Sequence, residues 1–174
     1  MTSKTATKSS FIIRRIKAMD AGIYRELRLE GLKNNPEAFG ASFNDEAGKP
    51  LSWFEELLGK NNVLGGFTDD GTLVGVLGIR VSEAAKLKHK GMLWGMYIKP
   101  EVRGTGLARL LAERVIKHAK SVVEEVLLTV VASNVAAVKL YERLGFKEYG
   151  LEPQALKIGT EYHDELLMRL PFQN

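Results

Sequence analysis

Short runs of apolar residues, some alternating with polar ones, recur along the chain and predict seven strands. These runs cover residues 11–16, 63–68, 72–81, 92–98, 125–131, 146–151 and 162–170. Between them, apolar residues recur at helical spacing in segments that begin near residues 20, 52, 106 and 134. The pattern therefore predicts a mixed α/β fold.

The first helix is expected over residues 20–33. Asp20 is a residue type that favours the N-cap position, where its carboxylate could accept a hydrogen bond from the first turn. Ile23, Leu27 and Leu32 recur at a spacing that predicts one apolar face directed at the core.

Further local signals place the other boundaries. Residues 34–50 are expected to form a loop, and Ser52 with Glu55 has the spacing of a capping box that would open a short helix. Asp69-Asp70-Gly71 predicts a hairpin turn, because Gly tolerates a positive φ at no steric cost. Gly145 is expected to end the last helix.

The middle of the chain predicts how the sheet is connected. An amphipathic helix at 106–122 separates an aromatic-rich strand at 92–98 from a nearly continuous apolar run at 125–131. We expect these two strands to pair in parallel, the first four strands to be antiparallel, and helices to cover both faces. An isolated Gly95 within the first of them predicts a bulge that could splay the pair and open a slot.

Length and composition indicate one packed domain. The 174 residues are 45% hydrophobic and 26% charged, a globular mixture. We expect residues 1–10 to form a flexible tail and residues 11–174 a single domain. No apolar run approaches the ~18 residues of a membrane span, and the polar start lacks the apolar stretch of a secretory signal. These features predict a cytoplasmic protein that does not associate with membranes.

The residue counts argue against two classes of chemistry. With no cysteine and three scattered histidines, neither a disulfide framework nor a metal site is expected. The net charge of +4 is small and no basic block occurs, so a dedicated nucleic-acid binder is not expected either.

Residues 96–108 form the chemically most informative segment, which runs from a strand end through a glycine-containing loop into a helix start. Gly104 and Gly106 lack a Cβ, so a ligand can approach the backbone, and the first N–H groups of the helix have no internal acceptor. Such amides bind phosphate without needing a basic side chain. The segment matches neither a Walker A loop nor the Rossmann fingerprint. The alternative is a glycine turn that simply enters a helix.

A second segment, residues 134–146, combines a capping Asn134 with small residues and a tyrosine. Ala137 and Tyr141 are four residues apart and are therefore neighbours on one helix face. A small Ala beside a Tyr leaves room for a ligand near the phenol. The alternative is that Asn134 is only an N-cap and Tyr141 only a core aromatic.

Taken together, these segments resemble the GCN5-related N-acetyltransferase (GNAT) family. The family's acetyl-coenzyme A loop has the form Arg/Gln-x-x-Gly-x-Gly/Ala, which Arg103, Gly106 and Ala108 meet. Its second signature, Asn-x-x-Ala followed by Leu-Tyr-Glu-x-Leu-Gly-Phe, is met by residues 134–146. The resemblance implies a mixed central sheet with helices on both faces, antiparallel N-terminal strands, and a parallel pair splayed around the cofactor.

The resemblance also implies acetyl-coenzyme A as cosubstrate, without a metal. The pyrophosphate would bind the loop amides, and the pantetheine arm would lie along the backbone of residues 96–98. The implied cofactor-binding residues are Met96, Tyr97, Ile98, Arg103, Gly104, Thr105, Gly106, Leu107, Ala108, Asn134, Ala137 and Tyr141. In the family, a Tyr at the position of Tyr141 donates a proton to the departing thiolate, and a phenol that titrates near pH ~10 is protonated at neutral pH.

The general base is not identified by the resemblance. Some family members carry a Glu five residues before the signature Asn, where this chain has Thr129, whose hydroxyl cannot replace a carboxylate base. Other candidates in the chain are Glu30, Glu83, Tyr97, His163 and Asp164.

Two functional hypotheses follow. In the first, the protein transfers an acetyl group from acetyl-coenzyme A to a primary amine of a small molecule or peptide, which attacks the thioester directly. In the second, it is a non-catalytic acyl-coenzyme A binding or sensing module of the same fold. The acceptor is expected to contact the first two helices and the connections at 82–91 and 155–161, and a monomer and a homodimer are both open.

Overall fold

The computed structural model of the chain describes residues 10–172, which form one seven-stranded sheet, five α-helices and three short 3-10 helices. The strands are β1 (Ile12–Arg15), β2 (Asn62–Phe67), β3 (Leu73–Val81), β4 (Lys90–Ile98), β5 (Glu125–Val131), β6 (Lys147–Ile158) and β7 (Glu161–Pro171). The helices are α1 (Ala21–Asn34), α2 (Phe43–Ala47), α3 (Leu51–Lys60), α4 (Leu107–Ala119) and α5 (Val135–Arg143). The 3-10 helices are Ala18–Asp20, Pro36–Ala38 and Pro100–Val102.

The strand order in the sheet is β1-β2-β3-β4-β5-β7-β6. Strands β1 to β4 pair antiparallel in sequence, β4 and β5 pair in parallel, and β7 lies antiparallel between β5 and β6. The connection from β4 to β5 runs through α4, as a parallel pair requires a crossover. The predicted antiparallel strands and the predicted parallel pair are therefore confirmed.

Helices cover both faces of the sheet, as predicted. On one face, α4 and α5 pack against the strands, with Leu107 and Leu111 of α4 fully buried. On the other face, α1 and α3 form a second cluster that contains Leu27 and Phe54. The helix α4 lies close to β2 because Gly66 has no side chain, and a Cβ there would lie 2.5 Å from Leu107 Cδ1.

The start of α1 differs from the prediction. Asp20 precedes the helix, but its carboxylate accepts hydrogen bonds from Arg14 at 2.9 Å and does not cap the first turn. Ile23 is largely exposed, whereas Leu27 and Leu32 are buried as predicted. The ion pair with β1 has taken the carboxylate that the helix would otherwise use.

The segment predicted as a loop, residues 34–50, contains the 3-10 helix Pro36–Ala38 and the short helix α2. Ser42 caps α2 by accepting a hydrogen bond from the Asp45 N–H at 3.2 Å. The predicted capping box is wrong, because α3 begins at Leu51 with Pro50 at its N-cap and Ser52 already lies inside the helix.

Near the end of the chain, β6 is twice as long as predicted. It has 12 residues and joins the 11-residue β7 through a short turn, so the two form a long hairpin. Most of β6 is exposed, and the polar residues and proline at 152–154 interrupt its apolar residues, while pairing with β7 resumes from Leu156 to Ile158. Likewise, α4 ends at Ala119 and the predicted extension to Val122 is wrong.

The predicted tail lies almost wholly outside the described residues. Of residues 1–10 only Ser10 is described, and its hydroxyl donates to the Asp69 carboxylate at 3.1 Å. Among the helices of residues 10–172, none is both long and apolar enough to cross a membrane.

Candidate active site

A cleft opens between β4 and β5, and we define it as the gap beyond Met92 and Leu127. The two strands are paired only at three positions, Lys90 with Glu125, Gly91 with Val126, and Met92 with Leu127. Beyond these pairs the strands separate.

The separation has a local cause in β4. Against β3, Trp94 pairs with Gly78 and Tyr97 pairs with Val76, so β4 carries one extra residue over this stretch. Gly95 within it has φ +66°, a left-handed conformation that Gly adopts readily. This is the predicted bulge, and it turns the end of β4 away from β5.

Two cavities meet at the cleft. One, about 520 Å³, lies beside α5 and is called the α5 cavity. The other, about 430 Å³, lies beside α1 and the segment that follows it and is called the α1 cavity. The two cavities adjoin each other, because both are lined by Ala38, Met96, Asn134, Ala137 and Tyr141.

The α5 cavity contains most of the side chains that the sequence pointed to. Those that line it are Met96, Tyr97, Ile98, Arg103, Ala108, Asn134, Ala137 and Tyr141. Gly104, Thr105, Gly106 and Leu107 do not line the cavity itself but form the loop between Arg103 and Ala108. The structure therefore brings two distant segments of the chain to one space.

The loop presents free backbone amides. The N–H groups of residues 104–108 donate to no acceptor among the described residues. Gly104 and Gly106 have φ values of +77° and +91°, and an added Cβ at either would meet no atom within 4 Å. The loop is thus an open cradle of donors at the positive end of α4, which suits a phosphate group.

The side chains of this loop support its shape. Arg103 Nε donates to the Ile98 carbonyl at 3.0 Å, and its Nη2 donates to Asn35 Oδ1 at 3.1 Å. Thr105 Oγ1 donates to the Val102 carbonyl at 2.6 Å. Leu107 is buried in the core and anchors the first turn of α4.

The start of α5 is set by Asn134, whose Oδ1 accepts a hydrogen bond from the Ala137 N–H at 3.2 Å. Asn134 is therefore an N-cap and also a cavity residue. Tyr141 is 6% exposed and its ring packs edge-on against Phe146, with ring centroids 5.7 Å apart. Its hydroxyl hydrogen-bonds to none of the described residues, and burial raises the pKa of Tyr141 to about 12.

The α1 cavity has an ionic wall. Arg28 donates from Nε and Nη2 to the two carboxylate oxygens of Glu46, both at 2.6 Å, and both residues are buried. The guanidinium also lies 5.3 Å from the ring centroid of Trp94. Such a bidentate buried pair holds α2 against α1 and fixes the shape of this wall.

Sequence reasoning missed Arg28, Glu46 and Glu165 as residues of the site. Arg28 and Glu165 line the α1 cavity, and Glu46 is the partner of Arg28. Arg28 is buried on the same face of α1 as Leu27 and Leu32, and a charged residue at this position of the apolar stripe was the available signal.

Most of the general-base candidates that the sequence suggested lie outside the two cavities. Glu30 accepts from the Tyr97 hydroxyl at 3.0 Å and pairs with Lys99 at 3.5 Å. Asp164 accepts the Gln154 N–H at 2.7 Å. Glu30, Glu83, His163 and Asp164 line neither cavity, while Tyr97 lines the α5 cavity, where burial raises its pKa. No group of three or more His, Asp or Glu that could hold a metal occurs among residues 10–172.

Comparisons with known proteins place the chain in a family. Residues 22–146 match the model of the Acetyltransferase (GNAT) family. The chain is 38% identical over 85 residues to the mycothiol acetyltransferase of Thermobispora bispora, which is 47% of this chain and 29% of that protein. It is 34% identical over 80 residues to the [ribosomal protein bS18]-alanine N-acetyltransferase of Salmonella typhimurium, 45% of this chain and 54% of that protein. These matches span less than a third of the first relative and about half of the second.

The fold agrees with a solved structure over nearly the whole chain. The structure of yncA from Salmonella typhimurium, solved with its cofactor acetyl-CoA, superposes with a TM-score of 0.78 at 20% identity. The match covers 95% of this chain and 96% of that one. With a family model that covers most of its length and a fold that agrees throughout, the chain belongs to the GNAT family of acetyltransferases.

Proposed function

We propose that this protein is an acetyl-coenzyme A-dependent N-acetyltransferase whose acceptor is a primary amine of a small molecule or peptide. The observation that carries the proposal is the meeting of two cavities at Tyr141. A donor in the α5 cavity and an acceptor in the α1 cavity would have their reacting atoms beside one buried phenol. This arrangement suits direct attack of the amine on the thioester, because no covalent enzyme intermediate is needed.

The residues present fit acetyl-coenzyme A. The amides of residues 104–108 donate to no other described residue and the space at Gly104 and Gly106 is open, so a pyrophosphate can approach the backbone. Past Met92, the backbone of β4 is not paired with β5, so residues 96–98 can hydrogen-bond to an extended pantetheine arm. Asn134 and Ala137 form the opposite wall. When bound, the cosubstrate supplies an acetyl group activated as a thioester.

Tyr141 is proposed to act as the general acid. Burial keeps its phenol protonated at neutral pH, because the charged phenolate is poorly solvated in this cavity. As the bond between the acetyl carbon and sulfur breaks, the hydroxyl gives its proton to the sulfur, and coenzyme A leaves as a neutral thiol.

The test is a coenzyme A release assay over a panel of amines and peptides, with the acetylated product identified by mass spectrometry. We expect turnover of at least one acceptor class by the parent protein. In single-turnover measurements, Tyr141→Phe should slow the chemical step by roughly 10- to 100-fold, the low end of general acid catalysis since a thiolate leaves fairly easily, while acetyl-coenzyme A affinity changes little.

The matched control is Tyr162→Phe, which removes the same hydroxyl from an exposed tyrosine of β7. A parent rate in Tyr141→Phe would reject the general-acid role. Tight binding of acetyl-coenzyme A without turnover of any amine would favour the alternative, a non-catalytic acyl-coenzyme A sensing module.

A further inference from the structure

Glu165 is a carboxylate of the α1 cavity that has no role in the reaction as described so far. It lies on β7, is partly buried, and lines the same cavity as Thr129 and Tyr141. In the sheet, Glu165 pairs with Val131 of β5, and Leu167 pairs with Thr129. Because side chains two residues apart share a face, Glu165 and Thr129 are diagonal neighbours on one face of the sheet.

Glu165 and Thr129 lie at the edge of the cleft. Thr129 has no ionisable group, but the next strand supplies a carboxylate on the same face, directed at the same cavity. Among the described residues that line the α1 cavity, Glu165 is the one carboxylate, and the neighbouring Glu46 is held by Arg28.

We propose that Glu165 is the base that accepts a proton from the acceptor ammonium in the α1 cavity. The inference rests on the proposed acetyltransferase function and deepens it by naming the second proton-transfer residue. It also states the class of acceptor, a cationic primary ammonium, because only a protonated amine needs a base before it can attack.

The proton balance is complete with two residues. The ammonium gives one proton to the Glu165 carboxylate, and the free lone pair of the amine attacks the thioester carbon. The C–N bond forms, the C–S bond breaks, and Tyr141 protonates the sulfur. The attacking nitrogen then gives its second proton to the Tyr141 phenolate, which restores the phenol, and Glu165 releases its proton to solvent.

The surroundings of Glu165 tune it for this role. Burial, followed by the charge of Glu152, raises the pKa of Glu165, and interaction with the Thr129 hydroxyl opposes that rise. Glu152 is its direct cross-strand partner on β6. The cations that line the same cavity are Arg28, which is paired with Glu46, and Arg80 of β3. A carboxylate with a raised pKa is a stronger base than an ordinary glutamate.

The first experiment measures single-turnover rates against pH with acetyl-coenzyme A bound and two acceptors, glycinamide and aminoacetonitrile, the second being the weaker base. Glu165→Gln should slow acetylation of glycinamide at neutral pH by roughly 10²-fold or more. The rate should recover at alkaline pH, where the amine is already neutral, and the loss should be smaller for aminoacetonitrile. Acetyl-coenzyme A affinity should not change.

Two further variants identify the titrating group. Glu152→Gln removes the neighbouring negative charge, so the acid limb of the parent profile should move to lower pH. Glu148→Gln makes the same chemical change at an exposed position of β6 that lines neither cavity, and it should leave the profile unchanged. Three outcomes would overturn the proposal. Glu165→Gln could acetylate at neutral pH within about threefold of the parent rate, or its rate could fall by the same factor at every pH. Alternatively, the acid limb of the pH–rate profile could stay at the same pH in Glu152→Gln.

A second measurement does not need turnover. Carboxyl-carbon NMR of the protein with bound coenzyme A should contain one glutamate resonance that is missing in Glu165→Gln, titrates above the ordinary glutamate range, and shifts on addition of methylammonium. If this resonance titrates in the ordinary glutamate range and does not move on addition of methylammonium, the proposal is overturned. A parent that shows the resonance and its shift but acetylates no amine refutes the proposed function, whereas turnover that is indifferent to Glu165→Gln refutes only the base.

Discussion

The two sides of the cleft differ in their chemical groups: one presents mainly backbone, and the other presents side chains. On the α5 side, one wall is the continuous stretch of residues 96–108, which presents backbone amides and open glycines, and the start of α5 forms the opposite wall. On the α1 side, a ligand meets side chains from α1, β4, β5 and β7, among them Arg28, Trp94 and Glu165. Local sequence shapes the backbone wall of the first side, whereas only the folded sheet assembles the side-chain wall of the second.

The difference teaches where specificity resides in this molecule. Any chain with glycines at the right positions can form such a backbone cradle, so the cradle suits a ligand that many proteins bind. A wall made of side chains from four elements can change one residue at a time. We therefore expect substitutions on the two sides to separate cofactor binding from the stability and acceptor use of the α1 side.

The largest expected effect is on the α1 side. Glu46→Ala leaves the buried Arg28 guanidinium without its partner, which typically costs about 3–5 kcal/mol in the free energy of unfolding. Urea denaturation measures the loss. The matched control is Glu113→Ala, which breaks the exposed pair with Arg109 and should cost about 0.5 kcal/mol or less. Equal losses in the two variants would contradict the assigned role of the buried pair.

The next effect is on the α5 side. Gly106→Val places a branched side chain in the amide cradle, so it should abolish the stabilisation by acetyl-coenzyme A, which for the parent is about 2.7 kcal/mol at 100 times its Kd. Thermal shift and calorimetric titration measure it. Gly71→Val is the matched control, because Gly71 has a similar φ of +86° and lies in the β2–β3 turn. The Gly71→Val protein should suffer similar backbone strain but still bind acetyl-coenzyme A. Undiminished binding of acetyl-coenzyme A by a folded Gly106→Val protein would refute the assignment of the loop as its binding site.

Tyr141, which lines both cavities, should affect the free energy of unfolding at alkaline pH. Burial raises the pKa of Tyr141 to about 12, above its value in the unfolded chain, so its contribution to stability is complete below pH ~10 and is lost as pH rises through about 12. We expect the parent to lose about 2 kcal/mol through this group by pH ~12. Urea unfolding of Tyr141→Phe should show a shallower decline with pH than the parent. Tyr24, whose pKa burial also raises to about 12, contributes a similar decline to every variant.

The smallest effect tests whether the α5 side is truly made of backbone. Thr105→Ala removes the hydrogen bond to the Val102 carbonyl, which should cost about 1 kcal/mol or less because the site is exposed. Acetyl-coenzyme A affinity, measured by calorimetry, should fall by no more than about threefold, since the amide of residue 105 remains. A loss as large as that of Gly106→Val would show that the hydroxyl itself binds the ligand.

Much of the fold follows from local patterns, and the failures share a cause. The apolar runs at 72–81 and 125–131 predicted two strands, and the amphipathic helix between residues 98 and 125 predicted the parallel pairing of β4 with β5. The length of β6 was not predicted, because the strand is mostly exposed and residues 152–154 interrupt its apolar pattern. The cap at Asp20 failed because Arg14, on another element, binds its carboxylate.

The candidate site divides in the same way. Gly104, Gly106 and Tyr141 stand in short motifs whose chemistry depends on neighbours in sequence, so they could be predicted. Arg28 and Glu165 are 137 residues apart in the chain. They share a cavity only because β5 lies between β4 and β7 in the sheet and α1 packs on that face.

The sequence by itself determined the strand–loop–helix order, the glycines that free the loop amides, and a tyrosine two turns into α5, because each depends on conformational preferences within a few residues. The tertiary structure alone decided that Tyr141 lies where two cavities meet and that Glu165 stands beside Thr129. Those facts depend on strand order and register, which arise from the packing of distant segments into one sheet and cannot be inferred from any single window of the chain.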